Sequence, residues 1–382
     1  VRYFDHNATH PLSAVARAAW LDAVERLPSN PSSPHRWGTR VANALDEARE
    51  QVAHLLGCHP SEIVWTSGAT ESNNAALHHL SRNTSGPVLV SAIEHPAVLA
   101  ATRRWLGDRS RTIPVTAEGV VDIAWIEHQL RAGLIAGVVV MAANNETGVL
   151  QPWSELATLC EAHGVSYSCD AAQWIGKLPA HLIGRCSLVV GCAHKFGGPQ
   201  GVGFLKGPAK LAPLLVGGPQ EEGRRGGTEN VAGILSMVAA LRDRAASLPA
   251  SDSSASTALD IRLAWRDQFI SRLKTLLPQT RIVGESVPRL WNTVAALMPG
   301  TADCRRRWVV KLDRLGCAVS TGSACSSGRE QPSHVLSAMG IASGESDRML
   351  RFSAGWETTE EDWNELLETI RRAAIDLGAG PS

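Results

Sequence analysis

Lysine is scarce in this 382-residue chain, six residues against 31 arginines, and five of the six have unremarkable surroundings. Lys195 differs. It stands in GCAHKFGGPQGVG, behind an apolar run and ahead of a glycine-rich turn. A lysine at the end of a buried strand loses solvation, which disfavours its charged form and favours a free amine able to attack a carbonyl. Upstream, SCDAAQ ends another expected strand with Asp170 and Gln173. A carboxylate beside a carbonyl-binding lysine suits pyridoxal phosphate: it keeps the pyridine nitrogen protonated, so the ring can take electrons from a substrate carbanion. TSGATESNN, residues 66–74, reads as a strand-to-helix turn. Its free backbone N–H groups and the Thr70 hydroxyl form an anion site suited to a phosphate.

A thiol is the second reactive group. Cys325 lies in SACSSG, residues 323–328, among small hydroxylated neighbours poorly suited to core packing. Free cysteines are mostly buried small hydrophobes, so a cysteine on a loop of this kind is the exception. Eight cysteines occur, at 58, 160, 169, 186, 192, 304, 317 and 325. None forms a C-x-x-C pair, and the spacing fits neither a zinc site nor a small disulfide scaffold, so no metal is expected. A reducing cytoplasm is the simplest setting for so many thiols.

The elements that must carry these groups alternate along the chain. Residues 14–27 and 40–57 place apolar side chains at helical spacing. Short β-rich runs follow at 62–67, 86–94, 136–144, 165–172 and 186–194, each ending in a polar or glycine-bearing turn. Near-continuous apolar strands separated by helices indicate an α/β fold, a mostly parallel sheet covered on both faces. Ligands of such sheets gather at the carboxyl ends of the strands. A Ser/Ala/Asp-rich stretch at 246–260 marks a boundary. The expected organisation is a large cofactor-binding domain over 15–249 and a smaller α+β domain, made of 1–14 and 250–382, that carries the cysteine loop. Its last helix starts near 359, where Thr358 and Glu361 fit a capping box.

Composition excludes several classes. A formal net charge of +0 gives no general pull towards nucleic acid or an anionic membrane. The longest apolar run, residues 132–143, is too short to span a bilayer. The first residues, VRYFDHNATHP, contain no apolar stretch of a secretory signal.

Taken in order, YFDHNATHP, NPSSPHRWG, TSGATESNN, EHPAV, NNETG, CDAAQWIGK, HKFGGPQGVG, RRGGTEN and GSACSSG resemble the NifS/IscS-type cysteine desulfurases, in the class V branch of fold-type I pyridoxal-phosphate enzymes. The resemblance covers essentially the whole chain. It implies a homodimer that converts L-cysteine to L-alanine and passes the sulfur through an enzyme persulfide to an acceptor protein. By that resemblance Lys195 is the covalent cofactor lysine and moves the α-proton, Asp170 is the pyridinium partner, and Gln173 binds the phenolic oxygen. His95, in EHPAV, stacks on the ring and takes part in proton transfer. Thr70 and His194 serve the phosphate, Thr228 reaches the phosphate of the partner subunit's site, and Asn145 with Arg351 binds the substrate carboxylate. Cys325 is the sulfur carrier.

The chain departs from the family pattern at several positions. His6 and His10 replace an asparagine and a threonine; Cys192 stands where a phosphate-binding serine is common. Ala193 stands where glycine is frequent, and Trp356 where several relatives have arginine. The acceptor stays open among an iron–sulfur scaffold, a tRNA-thiolation carrier and a DNA-sulfur-modification system. The rival readings are a selenocysteine lyase or aminotransferase on the same fold, or a catalytically silent binding partner. Transamination needs no loop thiol, so Cys325 argues against the aminotransferase, and retention of the whole reactive set argues against the silent partner.

Overall fold

The computed structural model describes residues 1–248, 258–300, 304–322 and 333–379. The chain opens with a two-residue strand, β1 (Arg2–Tyr3). Seven strands then build the central sheet: β2 (Ile63–Thr66), β3 (Val88–Ser91), β4 (Ser110–Ile113), β5 (Gly137–Val139), β6 (Ser166–Asp170), β7 (Leu188–Cys192) and β8 (Gly203–Lys206). Their order is β2-β8-β7-β6-β5-β3-β4. Only β8 runs against its neighbours, and the other pairs are parallel. β3, β5 and β7 are buried along their whole length, as expected of strands covered on both faces.

Helices cover the sheet because their apolar residues recur on one face. In Arg36–Leu56, Val41, Leu45, Ala48, Val52 and Leu56 are all buried, and the helix stops at Gly57 in the left-handed conformation. A second core forms around β9 (Arg281–Ile282), β10 (Thr293–Leu297), β11 (Cys317–Ala318) and β12 (Met349–Ser353), with Trp291, Trp308, Trp356 and Trp363 among its buried side chains. β10 pairs antiparallel with β9 and β12. The N-terminal segment belongs to this second core: β1 pairs parallel with β11, and Phe4 bonds to Ala318 and Ser353 through its backbone.

Two strands of the central sheet were not visible in the sequence pattern. β4, SRTI, is mostly polar at a sheet edge, and β8, GFLK, lies inside what reads as a glycine-rich turn. The capping box of the last helix also sits one residue later than Thr358 and Glu361 predict. Thr359 caps Glu360–Asp376 together with Asp362, while the Thr358 hydroxyl accepts the Gly355 N–H instead.

β8 matters to the site because Gly203 lies directly beneath the β2-to-helix turn. A Cβ there would come 2.6 Å from the Gly191 carbonyl oxygen and 2.7 Å from the Gly68 Cα, both main-chain atoms that cannot move aside alone. Gly203→Ala should therefore cost about 1–3 kcal/mol of stability, the usual price of overpacking. It should also weaken cofactor retention by lifting the turn at Gly68. A parental melting temperature and parental retention in this variant would contradict the packing described.

Candidate active site

β6 and β7 lie side by side and end in Asp170 and Cys192, so their carboxyl ends deliver a carboxylate and, one short turn later, Lys195 to the same place. A cavity of about 490 Å³ opens there, lined by Asn7, Thr70, His95, Asn145, Asp170, Gln173, Cys192, His194, Lys195 and Arg351 among others. A larger open groove of about 950 Å³ beside the helix Ala258–Leu276 contains none of these groups.

Each side chain is held by identifiable partners. Lys195 Nζ donates to the main-chain carbonyls of Asn7 at 2.5 Å and Ala8 at 2.7 Å. Asp170 is buried; one carboxylate oxygen takes the Asn73 Nδ2 donor at 2.7 Å and the other the Ala172 N–H at 3.0 Å. Gln173 Nε2 donates to the Asn7 carbonyl at 2.9 Å. His95 caps the helix Pro96–Trp105, its Nδ1 accepting the Ala97 N–H, which fixes the neutral tautomer with the proton on Nε2. Burial lowers the His95 pKa against the opposing pull of Asp170. Burial, followed by Lys195 and Lys177, pushes His194 down to about 4. Both rings therefore favour the neutral form.

The turn after β2 fits an anion. The helix Ala69–Asn83 begins at Gly68, φ 141°, a conformation suited to glycine, which has no side chain of its own to cap the first amides. Cys192 sits under this turn, buried, with the Ala69 N–H directed at it; burial raises its thiol to about 11. A thiol in that state is a weak donor, so the anion must rely on backbone amides and on Thr70 and His194.

Arg351 is buried on the opposite wall. One terminal nitrogen pairs with Asp5 at 2.6 Å, the other donates to the Asn145 and Gly322 carbonyls, and Nε has no partner. The Asn145 side-chain oxygen is likewise buried without a partner. Thr228 is exposed and does not line the cavity of its own chain. Cys325 lies outside the described residues.

Pyridoxal phosphate fits this set: an amine for its aldehyde, a buried carboxylate for its ring nitrogen, and an uncapped helix start for its phosphate. Fold and site together define a fold-type I pyridoxal-phosphate enzyme.

The aminotransferase class-V family model matches residues 2–366. A cysteine desulfurase of Enterobacter agglomerans is 37% identical, across 94% of this chain and 89% of that protein. The cysteine desulfurase IscS of Dictyoglomus turgidum is 35% identical, across 97% and 93%. The crystal structure of a NifS-like protein from Rickettsia africae superposes with a TM-score of 0.86 at 27% identity, covering 98% of this chain and 99% of that one. The chain belongs to the class-V aminotransferase family, on its NifS/IscS-type cysteine desulfurase branch.

Three residues of the site escaped the sequence reading. Asn7 and Asn73 sit inside quoted motifs, yet neither residue type signals reactivity by itself. Lys177, counted among the unremarkable lysines, is buried four residues after Gln173 and bonds to it. Trp356, where relatives have arginine, is accounted for by its surroundings. The cations of Arg262 and Arg244 lie 5.0 and 6.0 Å from its ring centroid, so neighbouring elements supply the positive charge. Arg244 also pairs with Glu357, and His10 Nε2 lies 3.0 Å from the same carboxylate. Burial works against that charge, but the His10 and Arg244 contacts hold Glu357 well below the usual carboxylate range.

His6 has a consequence for acid stability. Burial, reinforced by His10, pushes it from 6.5 down to about 3. In the unfolded chain the ring takes a proton below 6.5; in the folded protein it does not until far lower, so the unfolded state gains protons first and stability falls as pH drops. His194 acts in the same direction. Each group steepens the loss by up to about 1.4 kcal/mol per pH unit within its window. His6→Asn should therefore melt with a shallower pH dependence between 6.5 and about 4 than the parent. Parallel curves would show that His6 is not a source of the acid sensitivity.

Proposed function

We propose that this cysteine desulfurase binds L-cysteine in the cavity with its carboxylate at Arg351 and Asn145. Cys325 accepts the sulfur, and L-alanine is released. Bound pyridoxal phosphate supplies an electron sink for the charge that develops at the substrate α-carbon. The chain's own residues do the rest. Lys195 holds the cofactor and carries the α-proton, Asp170 keeps the ring nitrogen charged, and Gln173 donates to the phenolic oxygen. His95, neutral and carrying its proton on Nε2, is suited to proton exchange beside the ring. The Cys325 thiolate attacks the substrate sulfur; an S–S bond forms as the C–S bond breaks, and the sulfur remains on the enzyme. The observation that carries this reading is the convergence of Lys195, Asp170, Gln173, His95 and Arg351 on one cavity.

Arg351 already holds a carboxylate, Asp5, so substrate binding involves an exchange of partners at its guanidinium. Its unpaired Nε supports a carboxylate site there. The exposure of Thr228, away from its own cavity, supports a homodimer in which the residue serves the neighbouring site. The sulfur then passes to an acceptor protein, with iron–sulfur cluster assembly one route. Free buried thiols at six described positions support a reducing, cytoplasmic setting. Among the described residues no helix is long and apolar enough to cross a membrane.

Cys325→Ser should still bind L-cysteine and change the visible spectrum. Its alanine yield should fall roughly a hundredfold or more, the scale on which losing a catalytic nucleophile acts. Mass spectrometry of the wild type after L-cysteine should place the extra sulfur on Cys325. Cys317 is a poor alternative, since it is buried with its sulfur 3.5 Å from the Thr369 hydroxyl. Sulfur found there, or undiminished alanine from Cys325→Ser, would overturn the assignment. Selenocysteine turnover remains compatible with the same residues; a transaminase, by contrast, would be untouched by the substitution.

A further inference from the structure

Lys177 is 3% exposed, and its ammonium group has two partners, both neutral oxygens. Nζ donates to Asn7 Oδ1 at 2.9 Å and to Gln173 Oε1. No carboxylate pairs with it among the described residues. A buried lysine without a countercharge is costly. Burial lowers its pKa well below the ordinary lysine value, with the positive charges of Lys195 and Arg351 adding to the effect.

The geometry shows what this lysine does for its neighbours. A carboxamide is nearly symmetric in shape, so its neighbours decide which end presents oxygen and which presents N–H. Lys177 approaches Gln173 as a donor and thereby holds Oε1 on its own side. One Gln173 N–H is spent on the Asn7 carbonyl, and the other is left for the cavity that Gln173 lines. Asn7 is fixed in the same way. Its Oδ1 receives Lys177 and, at 3.1 Å, Asn292 Nδ2. Its own Nδ2 must then donate, to Thr293 Oγ1 at 2.9 Å and the Asn145 carbonyl at 3.3 Å. With its side chain locked, the Asn7 carbonyl stays where Lys195 and Gln173 both reach it.

We propose that Lys177 is a positioning residue: it fixes the amides of Asn7 and Gln173 so that Gln173 offers an N–H, not an oxygen, to the phenolic oxygen of bound pyridoxal phosphate. This rests on the donor role of Gln173 proposed above. Lys177 itself touches neither cofactor nor substrate in this account.

A double-substitution cycle on the holoenzyme tests the inference, read by the rate of cofactor loss and by the pH midpoint of its yellow colour. Lys177→Met keeps the length of the side chain and removes the donor. It should release pyridoxal phosphate roughly ten- to a hundredfold faster, the range for losing one hydrogen bond to a charged group. Gln173→Ala should do the same, and both should move the colour midpoint in one direction. The double variant should resemble either single one, because the two residues act through one bond. Additive losses, or a Lys177→Met protein that melts lower but keeps parental retention and midpoint, would make Lys177 merely structural and overturn the inference. Parental behaviour of Gln173→Ala would overturn the donor role of Gln173 itself. Gln173→Glu covers the case in which Lys177→Met does not fold. It gives Lys177 a countercharge but cannot donate, so it should stay folded and lose cofactor as fast as Gln173→Ala; parental retention there would also refute the inference.

Discussion

The main-chain carbonyl of Asn7 accepts from Lys195 at 2.5 Å and from Gln173 at 2.9 Å, and much of the site is arranged around that oxygen. It is supplied by the N-terminal segment, which is stitched to β11 and β12 rather than to the central sheet. The reactive lysine rises from the end of β7 and the glutamine follows the end of β6, so one main-chain oxygen of the second core holds two side chains of the central-sheet core. Polar contacts at that depth are forced to be specific, since a buried donor left without an acceptor costs more than the bond itself gains. The side chain of Asn7 extends the constraint outward, through Asn292 and Thr293 to the second core and through the Asn145 carbonyl to the Arg351 wall.

Charge is distributed to match. The charges of Lys195 and Arg351 lie close enough to Lys177 to disfavour a third charge there, and Asp5 pairs with Arg351. Asp170 is held by amide donors from Asn73 and Ala172. Neutral His95 and His194 add hydrogen bonding without more charge. The Cys192 thiol is a weaker donor than a hydroxyl would be, and the helix Ala69–Asn83 begins beside it without a cap from Gly68.

The strands carrying the chemistry were legible because β7 is an apolar run ending next to Lys195 and β6 lies in the β-rich stretch VSYSCDAA that contains Asp170. β4 and β8 were not, because an edge strand such as SRTI can be mostly polar and because GFLK sits among glycines that read as a turn. The site followed the same division. Lys195, Asp170 and Gln173 could be named from residue type and position, whereas Asn7 and Lys177 act through a main-chain carbonyl and a buried amine whose neighbours come from distant parts of the chain. Lys177 in particular looks like a surface lysine until the fold removes its water. The capping box shifted by one residue for a local reason, the competing bond from the Gly355 N–H to Thr358.

Lys195 lines the cavity, whereas Lys177 stands one hydrogen bond behind it at Gln173, so only Lys195 is placed to hold the cofactor. Reducing the holoenzyme with borohydride makes the cofactor–lysine linkage permanent, and peptide mass mapping then reports which residue bears it. The pyridoxyl group is expected on Lys195 alone. Recovery of the label on Lys177, or of fully labelled protein with Lys195 unmodified, would contradict it.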